Sequence, residues 1–282
     1  MPRPVAKHAR HLAGRRHLCC DATVTRELQH GYGDAVHILD DTFLLSTLAR
    51  LGKPETQMTA ARGLLRHIYQ GLLAAAVSSE FPVAEVDVPT RMMEFTEKGI
   101  WHGNVIDPDT KVVIACLVRA GVLPSEICLE LLSQVLDPKN LRLDYLSMSR
   151  RVDDDGRVIG TDEAGLKIGG PIRDAILLIP DPMGATGGTV ARTIELYQEL
   201  DYGPARKEIA LPMIATPEFM QRMRSECPGV TVYTGRLDRG LSTPEALAQP
   251  PGTVDGECGL TDNQYIVPGA GGVGEVLTNS WV

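Results

Sequence analysis

Apolar residues recur along residues 56–77, TQMTAARGLLRHIYQGLLAAAV, at Met58, Ala61, Leu65, Ile68, Leu72 and Leu73. Spacings of three and four put these on one face of a helix and leave Arg62 and Arg66 to water. The pattern changes in KVVIACLVRAG, where residues 112–118 are continuously apolar and rich in β-branched side chains, as in a strand covered on both faces. VLPSEICLELLSQVL (122–136) returns to helical spacing, with Pro124 and Ser125 near its start. RLDYLSMS (142–149) predicts a second strand, and ILLI (176–179) a short buried one that leads through a loop into another helical pattern. EIALPMI (208–214), PEFMQRMRSEC (217–227) and GVTVYTG (229–235) add a strand, a helix opened by Pro217, and a strand. This alternation predicts βαβ units around a mainly parallel central sheet flanked by helices, an α/β fold.

Three stretches break the alternation. Residues 150–173 are polar and glycine-rich without a helical period, which predicts an exposed hairpin or mobile flap. Residues 242–263 are a Pro/Gly-rich insertion with little preference for helix or strand. The C-terminal QYIVPGAGGVGEVLTNSWV (264–282) predicts a short strand followed by a flexible glycine loop. The first residues form a basic, acid-free stretch without the apolar centre of a secretory signal. Residues 1–30 are therefore read as an arm, disordered or contacting another subunit, ahead of one domain over residues 31–282.

Composition narrows the function classes. Of the 282 residues, 43% are hydrophobic and 23% charged, an ordinary globular balance. No apolar run approaches the roughly 20 residues of a membrane span. A net charge of −8 disfavours a nucleic-acid footprint, which needs a basic face. The six cysteines form no CxxC pair and no cluster with histidine at zinc spacing. Cys116 and Cys128 lie in apolar segments and are read as reduced core residues, which points to the cytoplasm.

The chemistry concentrates after Ile179. In an open α/β sheet ligands lie beyond the carboxyl ends of the strands. There the chain places Asp181 and then the loop Gly184-Ala185-Thr186-Gly187-Gly188-Thr189, which opens a helix. Successive backbone N–H groups and a helix N-terminus form an anion nest. Gly187 and Gly188 remove Cβ atoms from the path of an approaching phosphate, and Thr186 and Thr189 add hydroxyls. Asp181 would repel that phosphate, so it faces sugar hydroxyls or hydrated Mg²⁺. The bland alternative is a tight strand-to-helix turn with Thr189 as N-cap. No Gly-Lys-Ser/Thr follows, so this is not a nucleotide-kinase phosphate loop.

DPMGATGGT resembles the phosphoribosyl-diphosphate (PRPP) loop of the uracil phosphoribosyltransferases, usually DPMLATGGS. QYIVPGAGGVGE is similar to that family's uracil-binding loop, usually YIVPGLGDxGD, and LVRAG (117–121) to its ILRAG pyrophosphate loop. Arg150 falls at the Arg of the family's YRD motif, and Lys167 at the Lys of its KLP hairpin. The resemblance spans residues 36 to 279 and implies a type I phosphoribosyltransferase fold with a C-terminal hood. It implies transfer of phosphoribosyl from PRPP to uracil, giving UMP and pyrophosphate, with Mg²⁺ on the pyrophosphate and ribose oxygens. Ala185, Thr186, Gly187, Gly188 and Thr189 would hold the 5′-phosphate. Asp181 would meet the ribose hydroxyls and touch the metal only indirectly. Arg119 and Arg150, assisted by Lys167, would neutralise pyrophosphate. Ile266, Gly271, Gly272 and Val273 would surround the base, and the resemblance carries the expectation of a homodimer.

The departures fall at the base end. Gly272 stands where the family has Asp, Glu275 keeps a carboxylate one methylene longer than the second Asp, and Val276 replaces Arg. Gly184 replaces Leu, Ser149-Arg150-Arg151 replaces Tyr-Arg-Asp, and Gly169 replaces Pro. Loss of a hood carboxylate near the reacting ring costs about 10²–10⁴-fold if that acid assists the chemistry. The sequence thus supports two readings: an active transferase for uracil or a related base, or a weakened homologue that binds PRPP or a nucleotide in a regulatory or partner-binding role.

Overall fold

The computed structural model describes residues 26–152 and 158–280, with the backbone alone in 149–152 and 158–163. In chain order the elements are β1 (Val36–Ile38), α1 (Thr42–Leu51), α2 (Met58–Glu80), β2 (Val83–Pro89), β3 (Ile100–Ile106), β4 (Val112–Val118), α3 (Val122–Leu132), β5 (Leu141–Val152) and β6 (Val158–Lys167). They continue with β7 (Ile176–Ile179), β8 (Met183–Gly184), α4 (Gly188–Glu199), β9 (Lys207–Ala210), β10 (Ile214–Ala215), α5 (Pro217–Glu226), β11 (Val230–Thr234), β12 (Arg236–Leu237), α6 (Pro244–Leu247) and α7 (Val273–Thr278).

Seven strands form the central sheet in the order β1-β11-β9-β7-β4-β5-β6. Every neighbouring pair is parallel except β5 with β6, an antiparallel hairpin at the edge. The period-2 rule assigns each strand residue to one of two cores. Val112 and Ile114 of β4, with Ile176 and Leu178 of β7, pack under α1, α2, α3 and α7. Val113, Ala115 and Leu117, with Leu177 and Ile179, pack under α4 and α5. This double burial explains the unbroken apolar runs at 112–118 and 176–179. The mainly parallel α/β architecture expected from the sequence is the one observed.

Local chemistry sets the boundaries. Asp41 caps α1 by accepting from the Leu44 amide at 2.7 Å. Thr216 caps α5 from the Phe219 amide at 3.1 Å, with Pro217 in the first turn.

Several boundaries differ from the expected ones. The strand expected over 208–214 is two strands: β9 ends at Ala210, and Ile214–Ala215 joins a second, three-stranded sheet, β12-β10-β8. Pro212 lies between them and has no N–H to continue a ladder. Pro180 and Pro182 divide β7 from β8 in the same way. β5 runs to Val152 and pairs with β6, so the polar 150–173 segment is in part a hairpin. The expected C-terminal strand is one bridge, Leu260 to Ile266, and the expected glycine loop winds into α7 at Val273. Some elements carry no reading in the sequence pattern, among them β1, α1 and the separate antiparallel pair β2–β3.

Residues 1–25 of the basic arm lie outside the described residues. Its last residues are in place: the Leu28 amide donates to Ile38 O at 2.8 Å. The 242–263 insertion is fastened to the domain. Glu218 on α5 accepts from the Gly259 and Leu260 amides at 3.0 and 3.2 Å. Buried Glu257 meets Arg239 and accepts from Tyr32 Oη at 2.8 Å and the Gly252 amide at 2.7 Å. Among the described residues no helix is long and apolar enough to cross a membrane.

Candidate active site

The three-stranded sheet sits where β7, β9 and β11 end, and a cleft of about 710 Å³ opens beside it, lined by Asp181, the 184–189 loop, Arg119 and the 264–275 segment. That volume suits a small phosphorylated ligand. Its position, beyond the carboxyl ends of parallel strands, is the one expected for an open α/β sheet.

The loop is held from behind. Gly184 pairs with Ala215 across β8 and β10, and its carbonyl accepts from the Thr216 amide at 3.1 Å. Buried Thr216 Oγ1 donates to Ala185 O at 2.6 Å. One residue thus caps α5 and fixes the loop. The Ala185 amide donates to Met183 O at 2.9 Å, and the Gly188 amide reaches Thr186 Oγ1 at 3.4 Å. Among the described residues the amides of Thr186, Gly187 and Thr189 meet no protein acceptor. They lie at the head of α4, where the first N–H groups lack intrahelical partners. Such amides are an anion site.

The bland alternative of a Thr189 cap does not hold: the cap of α4 is Gly187, and Thr189 lies inside the first turn. The glycines also do not owe their place to ligand approach alone. Gly187 has φ +75°, a conformation disfavoured for any residue with a Cβ. A Cβ there would meet Met223 Cε at 2.9 Å and Phe219 Cδ2 at 3.3 Å, and one on Gly188 would meet Arg222 Nη1 at 3.0 Å. The crowding comes from α5. Phe219 also explains Gly184, whose Cβ would lie 3.1 Å from the same ring. The ring fills space that a leucine at 184 would need.

Asp181 sits between two prolines, half-buried, and its Oδ1 accepts from the Met183 amide at 3.3 Å. Burial, and then the nearby Asp181 carboxylate, hold the Tyr69 hydroxyl well above its ordinary pKa. Tyr69 Oη instead donates to Leu211 O at 3.1 Å, beneath the cleft floor.

Arg119 follows β4 through a cis peptide bond with Val118. The turn closes as the Gly121 amide donates to Leu117 O at 2.8 Å, and a Cβ on Gly121 would lie 2.7 Å from that same oxygen. Across the cleft Arg119 Nη2 lies 3.5 Å from Glu275 Oε1 on α7.

The hood segment depends on an ion pair that sequence reading passed over. Arg236 grips buried Asp238 through Nε at 2.6 Å and Nη2 at 2.7 Å. Asp238 Oδ2 accepts from the Gly269 amide at 2.7 Å, and Arg236 Nη2 donates to Gly269 O at 2.9 Å. Ile266, Gly271, Gly272 and Val273 then line the cleft as expected, together with Gln264, Tyr265, Gly274 and Glu275. Gln264 Oε1 is buried without a hydrogen-bond partner, and its backbone has φ +61°. The Arg-x-Asp spacing at 236–238 and the glutamine before Tyr265 were the available signals.

One expected contributor is not brought in. Lys167 is exposed at the end of β6, opposite Tyr145, and does not line the cleft. Arg150 faces Thr161 across the β5–β6 ladder, and its side chain lies outside the described residues. Arg222 and Arg192 line the cleft beside the 184–189 loop, with Arg222 Nη1 donating to Thr186 O at 3.1 Å.

The chain is similar to known proteins along most of its length. The family model of uracil phosphoribosyltransferase matches residues 38–256. The uracil phosphoribosyltransferase of Rhodococcus jostii is 26% identical over 243 residues, 86% of this chain and 97% of that one. That of Exiguobacterium sibiricum is 25% identical over 242 residues, with the same coverage. Among solved structures, the AQ2163 protein of Aquifex aeolicus superposes with a TM-score of 0.64 at 22% identity, covering 88% of this chain and 99% of that one. The family match ends before the hood loop, the region where the motif departs most. Because it takes in every strand from β2 to β12 and the whole phosphate side of the cleft, the chain belongs to the uracil phosphoribosyltransferase family, a family of pentosyltransferase enzymes.

Proposed function

We propose that the protein transfers the phosphoribosyl group of PRPP to uracil or a closely related pyrimidine, forming UMP or its analogue and pyrophosphate. The observation that carries this reading is the convergence, in one cleft, of an anion nest with its neighbouring acid, an arginine and a glycine-rich hood from three separate parts of the chain. The 5′-phosphate is received by the open amides of Thr186, Gly187 and Thr189. Asp181, one strand-end away, accepts from the ribose hydroxyls. The diphosphate then extends toward Arg119, and the base enters under the hood.

The reaction breaks the bond from the anomeric carbon to diphosphate, whose oxygen keeps the electron pair, and forms a bond from that carbon to a ring nitrogen of the base, which releases its proton to solvent or to the departing diphosphate. Charge leaves with the diphosphate, and a fixed guanidinium at Arg119 stabilises it as it develops. Holding sugar and base in one cleft replaces a bimolecular encounter with a positioned one. Gln264 supports recognition of a pyrimidine: its buried carbonyl oxygen needs a donor, and an imide edge offers one.

The donor set fits a Mg²⁺ ion carried by the substrate's own oxygens. No group of three or more His, Cys, Asp or Glu among the described residues is arranged to hold a metal. Asp181 would meet such an ion through water or through the ribose. When bound, the ion supplies positive charge to the departing diphosphate.

A cytoplasmic homo-oligomer is part of this reading. Among the described residues four cysteines are free, three of them buried, which suits a reducing compartment. The β2–β3 pair and its turn expose Met92, Met93, Phe95 and Trp101, an apolar surface suited to a second copy of the chain.

The test is release of pyrophosphate from PRPP in the presence of uracil and a panel of other pyrimidines. We expect turnover with at least one of them. Absence of product with every base, from folded protein that binds PRPP, would refute an active transferase.

A further inference from the structure

The family motif has an aspartate where this chain has Gly272, on the wall of the cleft nearest the reacting end of the sugar. The space that its side chain would take is not empty. A Cβ built on Gly272 would overlap Oε2 of Glu275 and lie 3.1 Å from Glu275 Cδ. A carboxylate therefore already stands within one bond length or two of where an aspartate at 272 would begin, delivered from one helical turn further along α7.

A local explanation for this contact is a capping box, in which a glutamate at the third helical position accepts from the amide of the N-cap residue. Gly272 is the N-cap of α7 and Glu275 the third residue. No hydrogen bond from the Gly272 amide to Glu275 forms among the described residues, and the carboxylate is turned to Arg119 instead, at 3.5 Å. It is three-quarters buried and lines the cleft. Its position is shared by the two walls that flank the anomeric carbon in the proposed function. The helix that carries it also packs there: a Cβ on Gly274 would touch Ala120 Cβ at 3.5 Å.

We propose that Glu275 supplies the hood carboxylate that Gly272 lacks, as a catalytic residue that contacts the ribose and base end of the substrate. The inference rests on the proposed function for its substrate. Sterics and charge both favour it. An acid at 272 and Glu275 in its present position exclude each other sterically, and two carboxylates that close resist being ionised together. The longer side chain at 275 restores reach from a position one turn away. Its negative charge lies where positive charge develops on the sugar, and a fixed opposite charge there lowers the barrier.

The test combines steady-state turnover with calorimetric binding of UMP and PRPP in four proteins: wild type, Glu275→Gln, Glu275→Ala and the double variant Gly272→Asp/Glu275→Ala. In both single variants we expect kcat/KM to fall about 100-fold and UMP to bind about tenfold more weakly. The double variant should recover most of both losses, since the aspartate regains the vacated space. The isosteric Gln variant keeps the test valid if Glu275→Ala is unstable. Turnover and UMP affinity in Glu275→Gln equal to wild type overturn the inference. So does tighter PRPP binding with unchanged turnover, which would make Glu275 only a counter-ion of Arg119. A folded double variant without recovery overturns it as well. Should the wild type turn over no base yet bind UMP, the proposed function fails while the UMP arm still decides this one. Should the wild type bind neither PRPP nor UMP and turn over no base, both fail.

Discussion

Arg119 Nη2 and Glu275 Oε1 face each other across the cleft at 3.5 Å, one after the central strand β4 and the other on the last helix. The pair joins the two walls between which the substrate must fit. Arg119 is half-exposed, so the pair contributes at most about 1 kcal/mol to stability. Its importance is electrostatic and local. Replacing Arg119 with Ala should lower kcat/KM by about 10²–10³-fold, with the thermal midpoint nearly unchanged. Pyrophosphate-release kinetics and a melting curve measure both, and wild-type kinetics would remove Arg119 from the site.

Gly187 joins a ligand loop to a packed core. Val at this position must adopt φ +75° and press on Met223 and Phe219 of α5. We expect Gly187→Val to shift the loop, weaken PRPP binding at least about 100-fold through loss of the aligned amides, and leave far-UV dichroism native. Calorimetry gives the first quantity. Wild-type affinity would show that these amides do not hold the phosphate.

Gln264 presents a buried carbonyl oxygen with no protein donor. Gln264→Leu removes that acceptor at nearly constant size. The expected result is a rise of about tenfold or more in KM for the pyrimidine with PRPP affinity preserved. Equal KM values for the variant and the wild type would exclude a role in base recognition.

The protein should lose stability in alkali. Burial, reinforced by Asp144, raises the Tyr197 hydroxyl above its ordinary value of 10.0. Burial, reinforced by Glu257, does the same for Tyr32, and burial alone pushes the Cys128 thiol up to about 12. Each group titrates higher in the folded chain than in the unfolded one. Their contribution is therefore complete below the unfolded values and fades as pH rises past them, because the unfolded state ionises first. Denaturant midpoints should be flat from pH 7 to about 8 and fall steeply above about 10. Tyr197→Phe should flatten part of that fall, and a midpoint rising above pH 10 would contradict this account.

The site was legible in uneven degree, and particular residues show why. Asp181 and the 185–189 loop could be singled out because their chemistry is local: a strand end, a bare-backbone turn and the start of a helix are all set by neighbouring residues. The two-faced burial of 112–118 and 176–179 was legible for the same reason. Arg119, by contrast, was singled out only by the resemblance of LVRAG to the family motif. Pro212 was visible yet its effect was not. A proline breaks a ladder, but where the chain resumes pairing depends on β8 and β12, which lie about thirty and twenty residues away in sequence. A Thr189 cap stood as the bland alternative because Thr has the better capping side chain, whereas the cap is Gly187, whose Cβ position α5 crowds through space.

Sequence alone determined the layered α/β class and the placing of a bare-backbone loop and an acid at a strand end, since periodicity and short-range backbone chemistry carry that information. Only the tertiary structure decided which distant groups meet them. Thr216 fastens the loop, Asp238 and Arg236 fasten the hood, and Glu275 rather than residue 272 brings a carboxylate to Arg119. Those contacts join residues tens to more than a hundred positions apart, and their geometry follows from how helices pack on the sheet, which no local pattern encodes.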